Sequence, residues 1–125
     1  MFAMAAMRAN LEQVMTEPAY QHMFTLATQL ADGLRAAIAL HKLPWCVTQV
    51  GARTEFQFAP SSPHNGAAAQ AILDSELEQV IHLYLLNRGL LITPFHNMLL
   101  VCPETTVDDV RLLLIAFAAC LAELV

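Results

Sequence analysis

The sequence predicts an α+β fold, in which a small, mainly antiparallel sheet of three to four strands is covered by amphipathic helices. Three observations support this prediction: long segments with helical apolar spacing, short strand-like segments between them, and turn signals at their boundaries. The predicted order of elements is α-α-β-β-α-β-β-α, which is typical of helices packed on a sheet. At 125 residues, the chain is expected to form a single domain over residues 1–125.

The first two elements are expected to be helices. In the first, apolar residues recur at helical spacing, namely Met4, Met7, Leu11, Val14 and Met15. Thr16 and Pro18 then suit the N-cap and the first turn of a second helix, which runs to about Leu40. The residues expected to be buried in it are Met23, Leu26, Ala27, Leu30, Leu34 and Ile38.

Two strands are expected next, at residues 45–50 and 53–59, joined through Gly51. The second strand alternates rings with polar side chains, so that opposite faces of the sheet receive Phe56 and Phe58, and Glu55 and Gln57. This alternation predicts one face buried against helices and one polar face.

A loop at residues 60–66 is expected to lead into a third helix at residues 67–87. Ser75 and Glu78 have capping-box spacing, which predicts a break near Ser75, and Gly89 suits the position just after the helix. The expected inner face is Leu77, Ile81, Tyr84 and Leu85.

Two further strands, at residues 90–92 and 98–102, are expected to flank a turn at residues 93–97. Thr106 and Asp109 have the spacing of a capping pair and predict the start of a final helix. The residues expected to face inward from this helix are Val110, Leu113, Leu114, Phe117, Leu121 and Leu124.

The composition predicts apolar faces that this domain leaves uncovered. Hydrophobic residues make up 57% and charged residues 14% of the chain, whereas about a quarter charged is usual. Such faces either dimerise or pack on a further domain. Phe2 and Ala3 offer no cap to the first helix, so we expect the natural sequence to continue upstream. The longest apolar run, residues 112–122, is too short to span a membrane.

The charge and the cysteines narrow the expected partners and location. The net charge is −5 and the six basic residues are scattered, so no nucleic-acid partner is expected. Cys46, Cys102 and Cys120 lie in apolar contexts without metal-binding spacing, which indicates buried, reduced thiols in a cytoplasmic protein.

No complete catalytic motif is present in the sequence. Its five histidines lack the spacing of a metal site; they are His22, His41, His64, His82 and His96. No serine lies in a nucleophile elbow, and no glycine-rich phosphate loop occurs. The sequence therefore predicts neither a metal site nor a nucleophile.

Two groups of residues remain as candidates for a site. The turn at residues 93–97 brings Phe95, His96 and Asn97 between two strands; the alternative is a tight proline turn with a buried ring. Arg53, with Glu55 two residues further on, either binds a substrate carboxylate or pairs with a neighbouring acid.

Several short stretches occur in an order that is similar to one known family. They are residues 3–7 (AMAAM), 47–51 (VTQVG), 55–58 (EFQF), 85–94 (LLNRGLLITP) and 105–110 (TTVDDV). Together they resemble the C-terminal domain of class III pyridoxal-phosphate-dependent aminotransferases, particularly the glutamate-1-semialdehyde aminomutase branch. The similarity covers essentially the whole chain.

The resemblance implies a small domain of a fold-type-I homodimer, packed over a large domain that holds pyridoxal 5′-phosphate through a Schiff-base lysine. The single lysine of this chain, Lys42, follows a helix and precedes Leu43 and Pro44, a context unlike the catalytic one. The resemblance thus implies that this chain lacks the cofactor domain, binds no cofactor and is inactive alone. The implied partners are that large domain of the same parent chain, a second subunit and, for the parent, small amino donors and acceptors.

The sequence also departs from the family pattern. Many members carry an arginine for the substrate carboxylate where this chain has residues 93–97, and none occurs here. The candidates for the substrate entrance are therefore Arg53, Glu55, Phe95, His96 and Asn97. The residues also leave open a second function, a free-standing α+β module for ligand binding or oligomerisation.

Overall fold

A computed structural model describes residues 2–93 and 97–125. Its helices are α1 (Phe2–Gln13), α2 (Glu17–Leu40), α3 (Gly66–Ala71), α4 (Ser75–Leu86) and α5 (Val107–Leu124), and its strands are β1 (Cys46–Val50), β2 (Arg53–Gln57) and β3 (Met98–Leu100). The strands form one antiparallel sheet in the order β1-β2-β3. The predicted α+β fold is confirmed.

One face of the sheet packs against α2 and α5. Thr54 of β2 is fully buried and its hydroxyl donates to the carbonyl of Ala27 on α2, at 3.4 Å. The Phe56 ring lies 5.0 Å from the ring of Phe117 on α5, measured between centroids. Because strand residues alternate between faces, Arg53 and Glu55 lie on the face opposite α2.

Helix α2 is the central element of the core. All six residues that its apolar spacing predicted to be buried are buried, and Ala31 and Ala37 join them. Burial of each leucine stabilises the fold by about 1.5–3 kcal/mol. Thr16 lies at the N-cap as predicted, but its side chain makes no capping hydrogen bond.

The capping pair predicted for α5 is confirmed. The Thr106 hydroxyl accepts a hydrogen bond from the Asp109 N–H at 3.2 Å, and the Asp109 carboxylate accepts from the Thr106 N–H at 2.8 Å. The buried residues of α5 end at Leu121, so Leu124 is 38% exposed and its predicted inward position is wrong.

The third predicted helix is two helices, separated at residues 72–74. The break near Ser75 is confirmed, but the capping residue is Asp74, whose carboxylate accepts from the Leu77 N–H at 3.0 Å. Ile81 and Leu85 are buried as expected, and Leu77 and Tyr84 pack at the edge of the core.

The strand predicted at residues 90–92 is absent from the described part of the chain. Leu90 instead donates its N–H to the carbonyl of Leu85 at 3.0 Å, which closes α4, and Gly89 adopts the left-handed conformation expected there. Only an isolated bridge between Thr93 and Met98 remains. Of residues 90–92, Ile92 is buried and Leu91 is exposed, and none belongs to a strand, so the sheet has three strands among the described residues.

Two further observations concern membrane-spanning potential and the cysteines. Among the described residues, no helix has the length and apolarity needed to cross a membrane. Of the three free cysteines only Cys120 is buried; Cys46 is half-buried and Cys102 is exposed, because it lies in the turn between β3 and α5. The prediction that all three thiols are buried is therefore wrong.

Candidate functional site

Arg53 and Glu55 form an ion pair along β2. Nη2 of Arg53 lies 2.8 Å from Oε2 of Glu55, and the two side chains are 52% and 18% exposed. The spacing of two residues along a strand brings both to the same face. Val50 of β1 and Leu100 of β3 are the sheet partners of Arg53, and both are exposed. The guanidinium is therefore accessible and flanked by apolar side chains. Its ion pair with Glu55 fixes its position.

A cavity of about 200 Å³ adjoins Glu55, between β2 and the segment that carries α3 and α4. Its polar lining comes from Glu55, Gln57, Gln70, Glu78 and Asn97, and the rest is mainly apolar. Two residues that the sequence proposed, Glu55 and Asn97, thus line one cavity. Gln70 and Glu78 were not predicted, because no local pattern shows that α3 and α4 approach β2.

Asn97 lies directly before β3, at the end of the turn predicted at residues 93–97. It is 5% exposed, its φ is 48°, and asparagine tolerates this left-handed conformation. Its backbone carbonyl accepts from the Phe56 N–H at 3.4 Å, and its amide donates to the Glu78 carboxylate at 3.5 Å. The other candidates from this turn, Phe95 and His96, lie outside the described residues.

The environment of Lys42 differs from that of a cofactor-binding lysine. It is exposed in the turn that follows α2, with a φ of 54°, and it is not part of the cavity beside β2. A Schiff-base lysine has to lie against its bound cofactor in a site that excludes water. The described residues therefore do not fit a pyridoxal-phosphate site of their own.

Neither the histidines nor the acidic residues form a metal centre in the part of the chain that the structure describes. Nε2 of His22 lies 2.8 Å from the carbonyl oxygen of Thr105, which joins α2 to the turn before α5.

The exposed and buried thiols differ in their acidity. The hydroxyl of Thr105 donates to Sγ of Cys102 at 3.4 Å and lowers the pKa of that thiol. Burial, followed by the charge of Glu123, raises the pKa of Cys120 to about 11. Because Cys102 is a single exposed thiol in a turn, its acidity bears on reactivity and does not define a site.

Comparisons with known proteins place this fold. No protein-family model matches the chain. Two solved structures of a glutamate-1-semialdehyde-aminomutase from Pseudomonas aeruginosa PAO1 superpose with a TM-score of 0.95 at 51% identity, and one of them is a lysine-to-alanine variant in complex with PMP. The match covers 97% of this chain and 27% of theirs.

Two further comparisons agree with this result. A glutamate-1-semialdehyde 2,1-aminomutase from Anaeromyxobacter dehalogenans is 44% identical over 69 residues, which are 55% of this chain and 16% of that protein. A β-phenylalanine aminotransferase from Variovorax paradoxus shares the fold, with a TM-score of 0.74 over 82% of this chain and 23% of its own, at 18% identity.

The fold, together with 51% identity to the Pseudomonas enzyme, is that of the C-terminal domain of class III pyridoxal-phosphate-dependent aminotransferases. Within that class, the chain is similar in sequence to the glutamate-1-semialdehyde aminomutases of Pseudomonas and Anaeromyxobacter. The chain spans only about a quarter of the length of the solved enzymes that it matches.

Proposed function

We propose that residues 1–125 form the C-terminal domain of a pyridoxal-phosphate-dependent aminomutase or aminotransferase, and that this domain acts only together with a large cofactor-binding domain. The observation that supports this most is the TM-score of 0.95 at 51% identity over 97% of the chain, confined to 27% of the matching enzyme. The parent would be a homo-oligomer acting on small amino donors and acceptors. The three free thiols agree with a cytoplasmic location.

The face of the sheet opposite α2 is the proposed side of the substrate entrance. Glu55 fixes the guanidinium of Arg53, which keeps further N–H donors for a substrate carboxylate because only part of its fork contacts Glu55. The cavity beside Glu55 adds the buried amide of Asn97. Phe95 and His96 remain proposed members of the same entrance.

The large domain supplies the cofactor in this proposal. When bound there, pyridoxal phosphate provides the electron sink for amino-group transfer. The residues of this chain would orient the substrate and exclude water. Val50 and Leu100 beside Arg53 are 78% and 65% exposed, which fits a surface that another domain covers.

The proposed inactivity of the isolated chain can be tested with the cofactor itself. The chain is incubated with pyridoxal phosphate and reduced with borohydride, and peptide mass spectrometry then measures labelling of Lys42. We expect labelling no greater than that of an exposed lysine in an unrelated folded protein. A stoichiometric, saturable adduct at Lys42 would contradict the proposal.

The alternative, a free-standing ligand-binding or oligomerisation module, is separated from the proposal by the genomic sequence. A continuous reading frame upstream of Met1 that encodes a lysine-bearing large domain supports the proposal. A stop codon and a ribosome-binding site directly upstream support the free-standing module.

A further inference from the structure

Asn97 is a buried polar residue in a left-handed backbone conformation. It lies directly before β3, it is 5% exposed and its φ is 48°. Asparagine adopts this conformation more readily than most residues with a Cβ, but it still has to be held there by its surroundings. The contacts of Asn97 therefore decide where the chain enters β3.

Two contacts hold Asn97, one through its backbone and one through its side chain. Its carbonyl oxygen accepts from the Phe56 N–H of β2 at 3.4 Å, and Nδ2 of its amide donates to Oε1 of Glu78 on α4 at 3.5 Å. An ionised carboxylate can only accept hydrogen bonds, so the amide has to direct its NH₂ group toward Glu78. Asn97 is thereby tied to α4 and to β2, which both contribute to the lining of the cavity beside Glu55.

Glu78 is well placed to hold this amide, because α4 is fixed at its start and in its middle. The carbonyl of Asp74 accepts from the Glu78 N–H at 2.9 Å, and the Asp74 carboxylate accepts from the Leu77 N–H at 3.0 Å. Ile81, about one turn further along, is fully buried in the core. Glu78 is itself half-buried and lines the same cavity as Asn97. An anchored helix thus brings the acceptor to the cavity.

We propose that Glu78 is a positioning residue of the substrate entrance: it accepts from the amide of Asn97 and so fixes the start of β3 against the cavity. It acts through Asn97 and does not need to touch the substrate. This role rests on the proposed function, in which the cavity beside Glu55 belongs to the entrance. Because the role requires an acceptor and not a charge, the side-chain oxygen of a glutamine at position 78 can perform it as well.

The kinetics of a chimera test this role. In the chimera, this chain replaces the superposing 27% of the Pseudomonas aeruginosa aminomutase. Glu78→Ala is expected to raise KM by about two- to tenfold, the equivalent of one hydrogen bond, and to leave kcat unchanged. Glu78→Gln is expected to keep KM within about twofold of the unaltered chimera, because the hydrogen bond is retained. Glu76→Ala is the matched control and should change neither constant, because Glu76 is exposed in the same helical turn and does not line the cavity.

Exchanging donor and acceptor tests the contact between the two residues. Asn97→Asp tolerates the left-handed conformation but places a second carboxylate opposite Glu78, so it is expected to raise KM as well. Adding Glu78→Gln to it supplies an amide that donates to the new carboxylate, and KM is expected to return toward that of the unaltered chimera. A loss of packing alone would lower the urea midpoint and would not recover in the double variant.

The side-chain amide resonances of Asn97 give a second measurement, on the chain itself. In NMR spectra, Glu78→Ala is expected to shift them and Glu76→Ala is expected to leave them in place. Unshifted resonances in Glu78→Ala overturn the proposal. It is also overturned by a KM that is insensitive to Glu78→Ala, by a double variant that does not recover, or by a Glu78→Gln chimera that is as impaired as Glu78→Ala, since the charge itself would then be in use. The proposed function survives these results. A folded, cofactor-loaded chimera without turnover contradicts the proposed function, and the positioning role with it.

Discussion

Arg53 and Glu55 lie 2.8 Å apart on the face of the sheet that points away from α2, and the guanidinium remains about half exposed. An ion pair with this much exposure contributes little to folding. Its location between exposed apolar residues of β1 and β3 and a cavity instead suits recognition. Residues that stabilise the fold and residues proposed to serve the site should therefore respond differently to substitution.

Replacing the arginine tests this separation first. Arg53→Gln is expected to change the free energy of unfolding by less than about 1 kcal/mol, because water screens the pair. Urea unfolding followed by circular dichroism measures the change. Arg8→Gln, in the exposed pair on α1, is the matched control. A loss of several kcal/mol in Arg53→Gln would show that the pair is mainly structural.

Phe117, in contrast to Arg53, is expected to contribute strongly to stability. Its ring is fully buried against Phe56, so Phe117→Ala should destabilise the fold by about 3–5 kcal/mol through the cavity that it leaves. Leu112→Ala on the exposed side of the same helix should stay within about 0.5 kcal/mol. Equal unfolding midpoints for the two variants would contradict the described packing of α5.

The capping box of α5 predicts an acid-sensitive contribution to stability. Hydrogen bonds from the Thr106 side chain, and then from its backbone N–H, lower the pKa of Asp109 below its ordinary value of 3.8. The folded chain therefore binds this proton less readily than the unfolded chain. The stability that the carboxylate contributes is present above the ordinary aspartate pKa and is lost as the pH falls through the folded pKa.

Asp109→Asn should accordingly flatten part of the loss of stability toward acid, as measured by urea midpoints at neutral and acidic pH. Thr106→Ala removes the partner and should cost about 1 kcal/mol at neutral pH. Asp108→Asn, at an exposed neighbouring position, is the control. Identical acid profiles for Asp109→Asn and the unaltered chain would refute this account of the cap.

The cysteines are expected to react in the order of their exposure and acidity. Iodoacetamide at neutral pH should modify Cys102 first, because its lowered pKa increases the thiolate fraction. Cys120, buried and with a pKa raised to about 11, should react only after unfolding. Thr105→Val removes the hydrogen bond to Cys102 and should slow its labelling. Mass spectrometry of tryptic peptides over time gives the rates.

The sequence predicted those elements whose local pattern and tertiary packing agree. The stripe of α2 and the capping pair of α5 are local features, and both were found where expected. The prediction of a strand at residues 90–92 was wrong because the Leu90 N–H donates to the carbonyl of Leu85 and so ends α4. Apolar composition alone does not show this hydrogen bond. The cap of α4 lies one residue earlier than predicted, at Asp74, because its carboxylate accepts from the Leu77 N–H.

The site was less predictable than the fold. The pairing of Arg53 with Glu55 follows from strand spacing, and it was one of two expected interpretations. The cavity could not be foreseen, because it requires α3 and α4 to approach β2 across a loop, and this brings Gln70 and Glu78 next to Glu55. A pattern in the sequence reports on neighbours along the chain and not on such contacts.

The central claim is that this chain is the small domain of an aminomutase-type enzyme. A chimera tests it most directly: the 27% of the Pseudomonas aeruginosa enzyme that superposes on this chain is replaced by the chain itself, and conversion of glutamate-1-semialdehyde is measured. Cofactor absorbance and sedimentation confirm that the chimera is folded and loaded. The account predicts measurable turnover that falls when Arg53→Gln is introduced. A folded, cofactor-loaded chimera without turnover would contradict it.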